Sequence, residues 1–282
     1  MQNENLLIGN FTRTRAILEK YGLRANKRFG QNFLTDLNIL HGIVDAAGVT
    51  KEDTILEIGP GIGSLTELLA QSAKKVFAFE IDDKLIPVLA DVLSPYDNVD
   101  VIHEDILKAD LNFLRGNKHL KVVANLPYYI TTPILLHLMN SDIDFKSITI
   151  MVQKEVAQRI QASVGSKDYG TLSLAIQYKM NAKIALNVPR TAFFPSPNVD
   201  SAVLNLWPLE DFTPFEDEDF LFKVIKASFA HRRKLLTNNL LFIEKDKNKI
   251  EQAILKTGFN LNIRGEKLNL DDFKHLADNL SD

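Results

Sequence analysis

Between residues 54 and 72 the chain reads TILEIGPGIGSLTELLAQS, an apolar run that breaks at three alternate glycines and resumes with helically spaced leucines. Five apolar-rich residues ending in glycine predict a buried strand over Thr54–Ile58, and the recurrence of Leu65, Leu68 and Leu69 predicts a helix over Leu65–Ser72. Gly59, Gly61 and Gly63 let the connecting backbone turn tightly and approach a ligand closely. The alternation continues downstream. Strands are expected at Lys75–Phe79, Val99–His103, Lys121–Ala124 and Ser147–Val152, with helices over Lys84–Leu93 and Pro133–Met139. Such a pattern builds an α/β domain, a parallel sheet covered by helices on both faces.

After residue 152 the helically periodic QKEVAQRIQA and TLSLAIQYKM precede two more strands, Ala182–Val188 and Ser201–Trp207. Between these strands VPRTAFFPSPNVD is too rich in proline for a helix and reads as a long ordered loop. Helical patterning returns at Asp219–Ala230, Arg233–Phe242, Asn248–Thr257 and Asp271–Leu280. The acidic stretch 208–219, with Pro208 and Pro214, is the expected linker. The 282 residues therefore divide into an α/β domain over 1–208 and a small all-α domain over 209–282.

Composition removes whole classes of function. No apolar run approaches the ~20 residues needed to cross a bilayer. The amino terminus lacks the basic-then-apolar pattern of a secretory leader. Without cysteine there is no disulfide framework, thiolate nucleophile or iron–sulfur site, which fits a cytoplasmic protein, and the scattered histidines show no metal spacing. The net charge of −3 hides a strong pattern. Residues 13–28 carry Arg13, Arg15, Lys20, Arg24, Lys27 and Arg28 against Glu19 alone, and residues 220–234 carry Lys223, Lys226, Arg232, Arg233 and Lys234 with no acid. Two separated basic blocks in an acidic protein suggest phosphate-facing surfaces.

The glycine loop is not the dinucleotide fingerprint, because its final glycine position, counted from Gly59, is Ser64. It reads E-x-G-x-G-x-G, with Glu57 inside the strand. A ligand without pyrophosphate has less need of a helix N-terminus, and cationic S-adenosylmethionine favours a carboxylate nearby. Glu80, 21 residues after Gly59, closes the second strand where a ribose diol can donate to it. Asp105, after the third strand, is placed to accept from an adenine amine.

The fourth strand ends in Asn125-Leu126-Pro127-Tyr128. Adenine's exocyclic nitrogen is a poor nucleophile because its lone pair is delocalised into the ring. Acceptors for its amino protons, such as the Asn125 side-chain oxygen and the Pro127 carbonyl, let the nitrogen pyramidalise as it attacks a methyl group. Tyr128 offers a ring on which a flipped base stacks. No strong base is required, since the amine becomes acidic once methylated. The chemistry is then mainly positioning of an in-line transfer.

With these residues in hand, the chain resembles the small-subunit rRNA adenine dimethyltransferases. The resemblance runs from about residue 25 to 240 and rests on KRFGQNFL (27–34), EIGPGIGSLT (57–66), FEIDDKL (79–85), HEDIL (103–107), ANLPYYI (124–130), MVQKEVAQRI (151–160), FFPSPNVDSAV (193–203) and FAHRRKLL (229–236). It implies a Rossmann-like, class I S-adenosylmethionine-dependent methyltransferase domain with a helical, RNA-binding C-terminal domain. It also implies transfer of methyl groups to two adjacent adenosines near the 3′ end of small-subunit rRNA, within a pre-ribosomal 30S-type particle, by a monomer. Carried over by motif, Asn32, Leu34, Gly59, Glu80, Ile81, Asp105 and Asn125 would line the S-adenosylmethionine pocket. Asn125, Leu126, Pro127 and Tyr128 would form the catalytic edge, with Phe193 or Phe194 across the target base. At least one of the aromatic pair is expected in the core, and Phe194 is named for the stacking role. Arg232 and Arg233 would contact RNA phosphates, and Gln31 and Asn32 would belong to a loop that orders over cofactor and RNA.

Three other readings share parts of this pattern. Large-subunit rRNA adenine dimethyltransferases of the antibiotic-resistance type share the cofactor loop and the N-[LI]-P-Y element, but ANLPYYIT and FFPSPNVDSAV favour the small-subunit form. Adenine-directed DNA methyltransferases more often carry D-P-P-Y. An assembly factor acting mainly by binding is compatible with the enzymatic reading.

Overall fold

The computed structural model describes residues 6–23 and 32–281. Arg24, Lys27, Arg28 and Gln31, singled out above, lie outside the described residues. Helix α1 (Phe11–Lys20) and the two-residue strand β1 (Phe33–Leu34) precede α2 (Leu37–Ala47). The alternating region comprises β2 (Thr54–Ile58), α3 (Ser64–Ser72), β3 (Lys75–Glu80), α4 (Ile86–Val92), β4 (Val99–His103), β5 (Leu120–Asn125), α5 (Thr131–Asn140) and β6 (Ser147–Gln153). Next come α6 (Lys154–Ile160), α7 (Thr171–Gln177), β7 (Met180–Val188), β8 (Phe193–Phe194) and β9 (Ser201–Pro208). Helices α8 (Glu218–Ser228), α9 (Leu236–Leu240), α10 (Lys247–Lys256) and α11 (Leu270–Ser281) follow.

Seven strands form one sheet in the order β4-β3-β2-β5-β6-β9-β7. The first five are parallel neighbours, whereas β9 runs antiparallel to β6, with Ile148 opposite Leu206 and Gln153 opposite Ser201. The sheet thus departs from the all-parallel expectation where β9 joins β6. The Pro-rich loop, rather than a crossover helix, connects β7 to β9. That loop also contains β8, which pairs antiparallel with β1, Phe33 opposite Phe194 and Leu34 opposite Phe193.

Every residue of β2 is buried, as a central parallel strand requires. Leu40, Ile43 and Val44 of α2 pack with Leu65, Leu68 and Leu69 of α3 against Val123 and Met151 of the sheet. Asp36 caps α2, accepting from the N–H groups of Asn38 and Ile39, and Gly48 closes it at φ +54°. The Lys121 ammonium donates to the carbonyls of Ala47 and Gly48 and pairs with Asp53 at 2.9 Å. Burial pushes the Asp53 carboxyl up, but Lys121 and Thr50 outweigh it and hold the group below the usual carboxylate range. One cation thereby ties the end of α2 to the start of β2 and to β5.

Helix α1 was not foreseen, because its polar, basic sequence shows little beyond Ile17 and Leu18 to bury. Its anchorage is non-local. Ile8, fully buried, donates its N–H to Glu67 of α3 at 2.6 Å, and the Thr14 hydroxyl donates back to the Ile8 carbonyl. Ile17 and Leu18 then pack with Leu85, Val88, Leu89 and Val92 of the α4 region.

The chain forms two compact units, one of residues 1–157 and 183–208, the other of 158–182 and 209–282. The proposed division at 208 therefore differs for residues 158–182, which pack with the C-terminal helices. Tyr169, Leu174 and Tyr178 are buried among Leu221, Ile225, Leu240, Ile254 and Phe273. The acidic segment is likewise fastened down: the Phe215 N–H donates to the Tyr178 hydroxyl at 2.7 Å, and Phe212 meets the Tyr178 ring edge-on. Within this unit Asp217 and Asp246 cap α8 and α10.

Candidate active site

The carboxyl ends of β2, β3, β4 and β5 open onto one cleft, where ligands of open α/β sheets bind. Asn32, Leu34, Gly59, Glu80, Ile81, Asp105, Asn125, Leu126, Pro127 and Tyr128 all line it. Residues spread over almost 100 positions of sequence thus converge. Parallel register is the cause: Ile58 lies beside Phe79, Glu80 beside His103, and Asn125 beside Met151.

Glu80 is buried, and its carboxylate serves the backbone. Oε1 accepts the N–H groups of Ile81 and Asp82 at 2.9 and 2.8 Å, and Oε2 accepts that of Gly61 at 3.2 Å. Burial lifts its pKa above the ordinary value, partly offset by these three donors, while the neighbouring Asp82 carboxylate adds to the rise. Two lone-pair positions per oxygen leave acceptor capacity toward the cleft. Gly61 adopts φ +63°, and a Cβ there would touch the Phe33 ring at 3.7 Å.

Glu57, inside β2, is also buried and lines the cleft. Its Oε2 has no hydrogen-bond partner among the described residues. Burial, with Glu80 adding to it, pushes the carboxyl pKa up to about 8. Ser64, the first residue of α3, also lines the cleft with a buried hydroxyl that has no partner among the described residues. A buried polar atom without a partner is uncommon and calls for an explanation. One carboxyl oxygen of Glu57 and the Ser64 hydroxyl, without partners among the described residues, fit the ammonium and carboxylate of an amino-acid moiety, and a bound cation would draw the Glu57 carboxyl back toward its ionised form. Apolar Phe79, Ile81, Ile106 and Leu126 supply flat contact for a heterocycle. The donor set therefore suits S-adenosylmethionine. Ser64 was missed from sequence, where it figured only as the residue that breaks the dinucleotide pattern.

The Asn125–Tyr128 corner is rigidly held. Leu126 is buried and its N–H donates to the Met151 carbonyl at 3.2 Å. The Pro127 carbonyl accepts from both the Ile130 N–H and the Thr131 hydroxyl, each at 3.2 Å, which closes the turn into α5. Its two lone pairs are thus engaged, so the acceptor expected there is occupied in this conformation. The Asn125 side chain and the preceding Leu126 carbonyl remain as acceptors at this corner. The Tyr128 hydroxyl bonds to Ser201 at the start of β9 at 2.7 Å. Burial, and the charge of Asp200, raise the Tyr128 pKa, with Ser201 opposing, so the phenol stays neutral. The bond fixes the ring by its hydroxyl, and Tyr128 lines the cleft.

Adjacent Phe193 and Phe194 diverge, as neighbours on a strand must. Phe193 is buried and lines the cleft. Phe194 does not line it; 38% exposed, it stands at the surface with its ring 5.5 Å from that of Phe11. In the helical unit, Arg232 is committed to Glu266 at 3.0 Å and to the Ser166 carbonyl at 2.8 Å. Arg233 and Lys234 are exposed and make no ion pair among the described residues. Among the described residues no group of three His, Asp or Glu side chains is placed to hold a metal, and no helix is long and apolar enough to cross a membrane.

Comparison with known proteins agrees with this geometry. The family described as Ribosomal RNA adenine dimethylase matches residues 22–282. A Ribosomal RNA small subunit methyltransferase A of Leuconostoc mesenteroides is 56% identical over 278 residues, covering 95% of this chain and 94% of that one. A protein of the same name from Ligilactobacillus salivarius is 55% identical over 292 residues, covering 99% and 98%. Among solved structures, a dimethyladenosine transferase from Plasmodium falciparum matches with a TM-score of 0.73 at 27% identity, over 86% of this chain and 94% of that chain. The 23S rRNA methyltransferase ErmE matches with a TM-score of 0.66 at 24% identity, over 89% and 100%, a likeness of fold.

Proposed function

The chain belongs to the ribosomal RNA adenine dimethylase family, and from that membership we propose that its cleft carries out S-adenosylmethionine-dependent N6,N6-dimethylation of adenosines in small-subunit rRNA. The observation that carries the reading is the convergence of Gly59, Glu80, Asp105 and Asn125 at successive strand ends around one cleft. We place the substrate as two adjacent adenosines of the 3′-terminal hairpin, met by a monomer within a pre-ribosomal 30S-type particle.

Each residue's part follows from its surroundings. Glu80 takes the ribose hydroxyls while its backbone bonds hold the glycine loop in place. Asp105 accepts from the adenine amine of the cofactor, and the exposed side of Ile81 packs on that ring. Glu57 and Ser64 meet the amino-acid end. When bound, S-adenosylmethionine supplies an electrophilic methyl group on a cationic sulfur.

The target adenine sits against the Tyr128 face, and its amino protons are accepted by the Asn125 side-chain oxygen and the Leu126 carbonyl. Of the aromatic pair, Phe193, which lines the cleft, meets the other side of the base, whereas Phe194 stands outside it. Catalysis is alignment of the nitrogen with the methyl group, after which the acidified amine gives its proton to water. Arg233 and Lys234 provide phosphate contacts from the helical unit.

Incubation with methyl-labelled S-adenosylmethionine and unmethylated ribosomal subunits, followed by nucleoside analysis, tests the reading. Dimethyladenosine in small-subunit rRNA is expected. Label confined to large-subunit rRNA, or none in either, would sink it.

A further inference from the structure

Tyr128 and Phe193 both line the cleft, and one dipeptide reaches the supports of both. Asp200 and Ser201 close the Pro-rich segment where it enters β9. Ser201 is fully buried, and its hydroxyl bonds to that of Tyr128 at 2.7 Å. Most side-chain hydrogen bonds go to backbone or water, whereas this one crosses to a side chain of the cleft. The Asp200 carboxylate accepts the Arg190 N–H at 3.0 Å, at the start of the short turn Arg190–Ala192 that leads into Phe193.

The dipeptide is itself firmly mounted. The Asp200 carbonyl accepts the Lys154 N–H at 3.0 Å, and Ser201 stands opposite Gln153 in the β6–β9 ladder. The bonds of Leu126 and Pro127 hold the backbone of the Asn125–Tyr128 corner, and the Ser201 bond adds a hold at the far end of the Tyr128 side chain. Ser201 itself does not line the cleft. A buried hydroxyl on a fixed strand, spent on one phenol of the cleft, is an arrangement for aiming that phenol's ring.

We propose that Ser201 is a positioning residue for the second methyl transfer: acting through Tyr128, it keeps a monomethylated adenine in line. This rests on the reading that Tyr128 meets the target base. Unmodified adenine brings two amino protons to the Asn125 oxygen and the Leu126 carbonyl. In the first transfer the nitrogen takes the methyl group as the carbon–sulfur bond breaks, its electrons staying on sulfur, and one amino proton passes to water. One N–H remains, so one of the two hydrogen bonds is gone. Alignment of the nitrogen then depends more on the ring against which the base lies. A loosened Tyr128 therefore harms the second transfer more than the first.

A double-mutant cycle with unmethylated small subunits as substrate tests this. The variants S201A, Y128F, S201A/Y128F and Y128A are compared in kcat/KM, in S-adenosylmethionine affinity and in the ratio of mono- to dimethyladenosine over time. S201A and Y128F break the same bond from its two ends. Each is expected to lower kcat/KM by about two- to tenfold and to raise the share of monomethyladenosine, with cofactor affinity within about twofold of wild type. The double variant loses no more than the worse single one. Should S201A fail to fold, Y128F, which keeps the ring, carries the test alone. Losses that multiply in the double variant overturn the inference, as does loss of cofactor affinity in S201A. So does a slowed enzyme whose product ratio is unchanged, the mark of a merely structural bond. Unimpaired S201A and Y128F beside an impaired Y128A also overturn it, since the ring then matters without the bond. A Y128A enzyme of normal kcat/KM overturns the underlying reading of Tyr128 itself.

Discussion

Glu80 accepts the N–H of Gly61 at 3.2 Å, so the carboxylate proposed to hold the ribose also fixes the turn that shapes the pocket. Replacing it disturbs both at once. E80A is expected to weaken S-adenosylmethionine binding by at least about tenfold, since hydrogen bonds to a charged group contribute about 1.5–3 kcal/mol each. E80Q keeps one acceptor oxygen and is expected to fall between E80A and wild type. Isothermal titration settles the order; equal affinities for all three would remove Glu80 from the site.

Asn125 ends β5 with its backbone fixed beside Met151, and its side chain lines the cleft. N125A removes an acceptor that matters most as the amine pyramidalises. Turnover is expected to drop by about 100-fold or more, while cofactor affinity and small-subunit binding change little. If cofactor affinity collapses instead, Asn125 belongs to the pocket rather than to the chemistry.

The Glu57 carboxyl, pushed up to about 8 by burial with help from Glu80, makes stability depend on pH. Below the ordinary carboxylate range the folded and unfolded chains are both protonated, and this contribution is fully present. As pH rises toward and through 8, the unfolded chain gains from ionising earlier and the contribution is lost. E57Q is neutral throughout. The ligand-free variant should melt with wild type at about pH 4 and several degrees above it at about pH 8.5. Parallel melting curves across that window would show that Glu57 is ionised in the folded protein.

Sequence gave Arg232 and Arg233 the same role, and the structure separates them. Arg232 joins Glu266 and the Ser166 carbonyl, so R232A is expected to lower the melting temperature of the helical unit. R233A/K234A should leave melting unchanged and weaken binding to small subunits. It should also flatten the salt dependence by about 1.4–1.8 in the log–log slope, the share of two phosphate contacts. Filter binding over a salt series distinguishes the pair; an unchanged slope for R233A/K234A would place RNA elsewhere.

The strands around the cleft were legible to within a residue or two because their patterns are local. Thr54–Ile58 and Val99–His103 are bounded by residues that break pairing on the spot, and the helix that Thr54–Ile58 feeds repeats leucines at helical spacing. The strand-end acids were equally readable, since parallel register brings ends together without further information. What escaped depends on distant partners. Helix α1 is held by Glu67, 59 positions from Ile8, and nothing near Ile8 announces it. Ser201 pins Tyr128 across 73 positions. Taking Phe194 over Phe193 had no physical ground in the sequence, because adjacency is symmetrical; pairing with β1 breaks the symmetry and turns Phe193 toward the cleft and Phe194 to the surface.

Residues 158–182 leave the first compact unit, enter the second, and return before the sheet is finished. The polypeptide therefore passes between the units three times, and no single cut yields two whole pieces. A fragment ending at 208 carries Tyr169, Leu174 and Tyr178 without the helices that bury them, and a fragment beginning at 209 lacks part of its own interior. Swapping the helical unit between relatives to exchange specificity must move the internal insert together with the C-terminal segment. Change in one is constrained by the other, although more than two dozen residues of sheet-forming chain separate them.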